Sequence, residues 1–363
     1  MEKAVAVELL KERFGTGLCE SAVAGLPHGY IGMIQGETGR KIICLTDGPC
    51  GLADKLVDFT EEQLGRGRLQ VAPLSKENAA LVRMFLKWTA PAACGVKGLS
   101  VRSVVLPETG DLQALQGKGV KPVWMKGLTN EAPQNDNLLD TATWLTLETG
   151  FHSGYGLTAG ALTEEMAVMD SLLAGFSLVS IDCSAKLDKS VVDMSEEMVL
   201  ERYRQLPDVF QKALESSYLN QTFAVDGTTI EYTPVLLART ALLYKEALAY
   251  VQYLFGAYLT YTPWPIDLEV SFQASNLALS PAEHFLLGNE LKRLKVRLFS
   301  MAIPQTSTNL DELKQHAAVA KYHGYRLGVT VDKSLLPAVA AQADHFAVTL
   351  ASDCSWSDVA AVL

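Results

Sequence analysis

The chain has 363 residues, 48% hydrophobic and 20% charged, enough to bury one large core and a smaller one and too apolar for a disordered chain. A formal charge of −10 without clustered bases excludes a nucleic-acid partner, and the densest basic run, 292–297 (KRLKVR), reads as the cation-favouring end of a helix. The six scattered cysteines form no CxxC pair, which fits a reducing, cytoplasmic setting.

Residues 1–95 read as a small α+β domain. The opening MEKAVAVELLKERFG is an amphipathic helix with charges throughout, unlike a secretory signal. After it, HGYIGMIQG and GRKIICLTDG form two short strands turned by ETGR. The stretch TAPAACGVKG, with Pro91 and several small residues, marks the boundary to the next domain.

From there a regular alternation sets in. Strands are predicted at 100–106, 121–125, 153–159, 176–182, 266–272, 296–303, 325–331 and 344–350. Helical patterns follow each of them, and the fourth strand is followed by an insertion at 188–264. The longest apolar run of the insertion carries Lys245 and Glu246, so it reads as a buried helix and no membrane partner is expected. Within the same insertion, TFAVDGTTIEYT is a hairpin turned by Asp-Gly. Strand-helix alternation means parallel strands with right-handed crossovers, and eight of them close into an α/β (β/α)8 TIM-type barrel over 96–363. The turn LPETGDL lacks the GxGxxG of a dinucleotide-binding open sheet. The insertion leaves the C-terminal end of a barrel strand and is placed to cover a pocket there.

Barrels keep their chemistry at the C-terminal ends of the strands. That rule makes Asp182, Lys186 and Lys126 the candidate catalytic residues, and Thr158, Trp124, Glu269, Gln273, Asp332 and Lys333 the candidate substrate contacts. Asp182, closing the apolar strand FSLVSID, is either a general base or a loop cap accepting backbone N–H groups. Lys126 and Lys186 are either solvent-facing or amines for Schiff-base chemistry with a carbonyl substrate. Glu269 is either a proton carrier or a strand residue paired with a basic neighbour. No histidine falls at a strand's C-terminal end, and a divalent transition metal draws on imidazole or thiolate beside carboxylates. No resident transition metal and no cofactor is therefore expected; a carboxylate-only magnesium site would have just Asp182, Asp332 and Asp353 to draw on.

Three stretches carry a family resemblance: LLDTATWLTLETGFHSGYGLTAGAL from residue 138, LEVSFQASNLALSPAEHF from 268 and DELKQHAAVAKYHGYRLGVTVDKS from 311. With framework residues such as Asp140, Trp144, Gly156, Asp182, Glu269, Ser271 and Pro281, they resemble the metal-dependent tagaturonate/fructuronate epimerases. Those enzymes interconvert two keto-hexuronates by inverting a hydroxyl-bearing carbon. The resemblance implies a barrel of hexuronate metabolism with a sugar-acid ligand. It also implies acidic and imidazole metal ligands where this sequence has Thr158 to Ala161, Ala185 and Lys186, Gln273 and Ala274, and Thr330. The family pattern continues past the eighth strand, beyond Leu363. The expectation is a catalytically silent or repurposed relative that binds a sugar acid or assembles, as a homo-oligomer or with an active paralogue. Two alternatives remain: a metal-free isomerase or aldolase acting on a keto sugar acid, and a scaffold whose barrel mouth is plugged by Trp124, Phe272 and Met301.

Overall fold

In the computed structural model, which describes residues 1–36, 39–95, 98–126, 138–272, 278–303 and 310–363, the chain opens with helix α1 (Lys3–Phe14). Gly15, at a φ of 57°, ends that helix in a conformation that suits glycine. Five antiparallel strands follow: β1 (Leu18–Leu26), β2 (Gly29–Gly36), β3 (Gly39–Thr46), β4 (Thr60–Leu64) and β5 (Gly67–Pro73), in the order β1-β2-β3-β5-β4. The two predicted strands are β2 and β3. The other three escape a pattern reading; β4 (TEEQL) is an almost wholly exposed edge with no apolar alternation to reveal it. Both sheet faces are covered. Along β3, Ile43 and Leu45 pack with Ala6 and Leu10 of α1, while Ile42 and Cys44 face helix α2 (Lys76–Phe85) and Trp144 and Leu147 beyond it. This is the period of two expected of a strand buried on both sides.

The remaining elements alternate: β6 (Leu99–Ser103), α3 (Thr109–Leu115), β7 (Val120–Met125), α4 (Leu138–Thr149), β8 (Gly156–Leu162), α5 (Glu165–Leu173) and β9 (Leu178–Asp182). The insertion contributes α6 (Glu196–Tyr203), α7 (Asp208–Tyr218), β10 (Thr222–Val225), β11 (Thr228–Glu231) and α8 (Pro234–Leu254). Then come β12 (Asp267–Ser271), α9 (Pro281–Arg293), β13 (Ser300–Ala302), α10 (Leu310–His323), β14 (Arg326–Val331), α11 (Leu336–Ala340), β15 (Phe346–Leu350) and α12 (Trp356–Val362). The eight strands β6, β7, β8, β9, β12, β13, β14 and β15 close in that order into a parallel barrel, as the alternation predicts. No helix among the described residues is long and apolar enough to cross a membrane.

Two sequence expectations need correction. Strand β8 ends at Leu162, three residues beyond the predicted 159, because a bulge between Thr158 and Ala161 shifts its register against β9. Gly160, at a φ of 83°, takes a conformation in the bulge that other residues strain to adopt. No insertion residue lines the cavity at the mouth, although Tyr250 of α8 reaches the Thr163 carbonyl beside it. Its core, built on Tyr203, Tyr218, Tyr232 and Leu242, packs against Phe285 and Leu286 of α9 and Val319 of α10, on the flank of the barrel. The hairpin turns at Asp226 and Gly227, both at positive φ, as its Asp-Gly signal indicates.

The opposite end of the barrel is held by the segment leading into β6. Cys94 N–H donates to the buried Asp267 carboxylate at 2.5 Å, and Arg326 donates to the carbonyls of Gly98 and Gly95. Lys121 reaches the Ala93 carbonyl at 3.2 Å. These bonds fix the segment against the N-terminal end of the barrel, while the C-terminal ends of the strands line a cavity of their own.

Candidate functional site

A cavity of about 170 Å³ opens at the C-terminal end of the barrel, and all eight strands contribute to its wall. Its floor is an ion pair laid across the lumen. Arg102 comes from β6 and Glu269 from β12, four strands away in either direction around the barrel, so the pair spans it from side to side. Both side chains are buried, at 5% and 3% exposure, and the guanidinium grips the carboxylate bidentately, one arm measuring 2.5 Å. The remaining capacity of the carboxylate is filled by two hydroxyls. Ser180 of β9 donates to Oε1 at 2.8 Å and Ser300 of β13 to Oε2 at 2.6 Å.

This arrangement decides the charge state of Glu269. Burial alone pushes the carboxyl up, but the Arg102 charge and the hydrogen bonds from Arg102, Ser300 and Ser180 together outweigh it and hold the group below its usual range. Backbone shape makes the room. At Gly328 of β14, a Cβ would lie 2.9 Å from Glu269 Oε2 and 2.9 Å from the Ala302 Cα, so only glycine leaves the carboxylate its place.

Above the floor the lining turns mixed. Met125, Ile303 and Val329 supply apolar wall, Gly160 and Ala161 leave open space, and Ser271, Thr330 and Thr349 bring hydroxyls. Asp182 also lines the cavity, half-buried at the end of β9, and its Oδ1 accepts from Ser184 N–H at 2.8 Å. The two readings of Asp182 therefore coexist: it caps the turn and it faces the cavity. Glu269 has the basic neighbour that a structural strand carboxylate requires.

Most of the other sequence candidates lie elsewhere. Trp124 is fully buried with its ring stacked on Tyr155 at 4.5 Å; alternation along β7 turns Met125 into the mouth and Trp124 to the opposite face. Thr158 is fully buried in β8, below the lining residues Gly160 and Ala161, and its hydroxyl accepts from Gly160 N–H at 3.3 Å. Lys186 is exposed, its ammonium 4.7 Å from the Tyr250 ring centroid. Lys126 is half-buried beside the rim, its N–H donating to the Thr158 carbonyl, and does not line the cavity. Asp332 accepts from Ser334 and Leu335 N–H at the start of α11, and those hydrogen bonds, led by the Ser334 hydroxyl, hold its carboxyl below the usual range. Lys333 pairs with Asp358 at 3.2 Å. Gln273 and Ala274 lie outside the described residues. None of Trp124, Phe272 and Met301 plugs the mouth, which leaves the pure scaffold reading without its expected feature.

Sequence reasoning missed Arg102 and Gly328. The signals are there: an arginine inside the otherwise buried strand LSVRS, and a glycine inside the strand RLGVTV, where a close approach is the usual reason.

A closed parallel (β/α)8 barrel with a polar pocket at its C-terminal rim defines a barrel of the kind that handles small molecules. The chain belongs to the tagaturonate epimerase family, whose model matches residues 20–334. It is 25% identical over 275 residues to the tagaturonate/fructuronate epimerase of Thermotoga maritima, an alignment covering 70% of this chain and 56% of that protein. The chain thus spans little more than half the length of that curated relative. Among solved structures, the native fructuronate-tagaturonate epimerase of Cohnella laeviribosi matches with a TM-score of 0.79 at 22% identity, over 96% of this chain and 75% of that one. A glycerol complex of the same enzyme matches at 0.77 and 23%, over 96% and 75%. At such identities the likeness is one of fold.

The metal that the family resemblance implies finds few donors here. Among the described residues no three His, Cys, Asp or Glu side chains converge, and in the cavity Glu269 is committed to Arg102 while Asp182 stands alone. Segments 127–137, 273–277 and 304–309, which follow β7, β12 and β13, contain no histidine or cysteine. The donors among the described residues do not fit a resident divalent transition metal, and 127–137 adds only the carboxylates Glu131 and Asp136 in sequence.

Proposed function

We propose that this chain is a sugar-binding member of the tagaturonate epimerase family, associated with hexuronate metabolism, that does not carry out the family's metal-assisted epimerisation. The observation that carries this reading is the lining itself: the hydroxyls of Ser271 and Thr349 share the cavity with Asp182, above a carboxylate that Arg102 already occupies. Inverting a hydroxyl-bearing carbon develops negative charge on substrate oxygens, and a Lewis acid or aimed cationic donors supply several kcal/mol toward holding it. Hydroxyls beside a carboxylate are suited to binding sugar alcohols; they are poorly suited to stabilising a developing oxyanion. The amine alternative lacks support, because neither Lys126 nor Lys186 lines the cavity.

The test is to incubate the purified full chain with tagaturonate and with fructuronate, each with added manganese, zinc, nickel or cobalt, and to follow interconversion by NMR. The expected outcome is no turnover above the protein-free control. Metal-stimulated interconversion at a rate of even a few per minute overturns the reading.

A further inference from the structure

We infer that the flank of the barrel is an acid-sensitive joint: when the cluster of His284, His316 and His323 takes up protons, α7 and the hairpin β10–β11 come away from α9 and α10 while the barrel stays closed. The juxtaposition that carries it is three imidazoles joined through Tyr325, one of which packs on Phe285, the ring against which the hairpin sits.

His284 of α9 and His316 of α10 are buried and share a hydrogen bond between their Nδ1 atoms at 2.9 Å. His284 Nε2 meets the hydroxyl of Tyr325, just before β14, at 2.9 Å. The His323 ring, at the end of α10, stacks on Tyr325 and lies 4.8 Å from Phe285. At Gly288 a Cβ would lie 2.6 Å from both His323 Cδ2 and the Tyr325 hydroxyl, so α9 is pressed onto the cluster. Phe285 in turn meets Phe223 of β10, ring centroids 4.7 Å apart. Tyr232 and Tyr218 complete the attachment, donating to the Ala282 carbonyl at 2.5 Å and to Glu290 Oε1 at 2.9 Å.

A neutral imidazole pair shares one hydrogen, one Nδ1 donating and the other accepting. A first proton places a cation in this buried site. A second puts hydrogen on both Nδ1 atoms and abolishes the bond between them. His323 adds a cost of its own: both its ring nitrogens are shielded from water and have no hydrogen-bond partner among the described residues, so opening lets water satisfy them.

The surrounding charges do not relieve a cation here. Lys292 of α9 repels one at His323, and Glu312 of α10 favours one at His316 but is outweighed by burial. Glu290 is held by Arg293 and Tyr218, Glu283 caps α9 through Ser280, and Lys321 pairs with Asp226 of the hairpin. Arg326, next to Tyr325, donates to the Gly98 carbonyl. In sequence, 273–277 and 304–309, which precede α9 and α10, contain no acidic residue.

The barrel is held differently. Its ring of strands is closed, its floor pair Arg102–Glu269 carries its own counter-charge, and Leu243, Ala247 and Val251 of α8 belong to its core. The hairpin and α7 lie outside that ring and can leave without opening it.

The test is hydrogen–deuterium exchange of the full chain at pH 7.5 and 5, read by mass spectrometry and corrected for the intrinsic pH dependence of exchange. With an ordinary imidazole value near 6.5 in the open form, the opening constant rises about 30-fold for each imidazole uncovered. Peptides from α7 and the hairpin are expected to lose protection by at least about that factor at pH 5, while β6, β7 and β15 stay protected over the same labelling times. His323→Leu, at a half-exposed position, is expected to cut the rise by about 30-fold. Unchanged protection of α7 and the hairpin between the two pH values overturns the inference. So does loss of protection there and in the barrel strands together, or a rise in His323→Leu equal to that of the unaltered chain; the unaltered chain decides by itself if that variant does not fold.

Discussion

The barrel floor and the flank beneath α9 and α10 both bury ionisable groups and resolve the cost in opposite ways. In the floor, Arg102 and Glu269 stay charged, because each supplies the other's counter-charge and serines fill the remaining acceptor capacity. On the flank, His284 and His316 share one hydrogen bond between their Nδ1 atoms at 2.9 Å, and His284 Nε2 meets the Tyr325 hydroxyl at 2.9 Å. His323 stacks on Tyr325 beside them. Among the described residues no carboxylate hydrogen-bonds to that cluster; the Glu312 charge favours the His316 cation, while Lys292 adds a like charge near His323. Burial therefore drives all three imidazoles toward the neutral form, to about 4 for His323. The contrast teaches that depth alone does not set protonation: what matters is whether the fold delivers a partner of opposite charge.

Removing a partner from the floor breaks the comparison most severely. Glu269→Ala leaves Arg102 buried and unpaired, which costs about 3–5 kcal/mol, so chemical denaturation is expected to show a large drop in midpoint. A loss below about 1 kcal/mol would mean that the pair is not desolvated as its geometry indicates.

Gly328→Ala tests the space that the floor needs. A Cβ 2.9 Å from both Glu269 Oε2 and Ala302 Cα forces the carboxylate or a strand to move, with an expected loss of about 1–3 kcal/mol by thermal or urea unfolding. Combined with Glu269→Ala the two losses should not add, because the second change removes the group that the first one crowds.

A pH series separates the two regions. For the histidines the folded values lie below the unfolded 6.5, so the unfolded chain takes up protons first. Their contribution is complete above about pH 6.5 and is lost as pH falls, down through about 4 for His323. Glu269 is also depressed, from 4.5, so its contribution is present above that value and lost only as pH falls further. Urea unfolding between pH 7.5 and 5 is expected to lose on the order of 2 kcal/mol for each imidazole that stays neutral in the folded chain. His323→Leu should flatten that part of the curve, and Glu269→Gln should not.

The smallest effect belongs to the surface. Lys333→Ala breaks an ion pair in which the lysine is 57% exposed and is expected to change stability by no more than about 0.5 kcal/mol. A larger loss would show that pairing at the rim is cooperative with the α12 cap.

Much of the scaffold was legible because its signals are local. Strand–helix alternation announced the barrel, Asp-Gly announced the hairpin, and the end of an apolar run placed Asp182 at the rim. The candidate site was legible in part. Asp182 and Glu269 were named on position alone, whereas Trp124 and Thr158 were misplaced: one lies on the wrong face of its strand, and a bulge lengthened the other's strand beyond its pattern. Sequence spacing tells that successive residues alternate faces, but not which face closes inward.

By itself, then, the sequence determined the eightfold alternation, the position of the insertion and the scarcity of imidazole and thiolate at the strand ends, since each depends on residue type and short-range order. Only the tertiary structure decided that Arg102 meets Glu269, because 167 residues separate them and barrel closure alone sets them opposite each other. The same closure brought Asp182 to the wall of the cavity above that pair. Complementary charges across a lumen are a property of strand order and stagger, which no local pattern encodes.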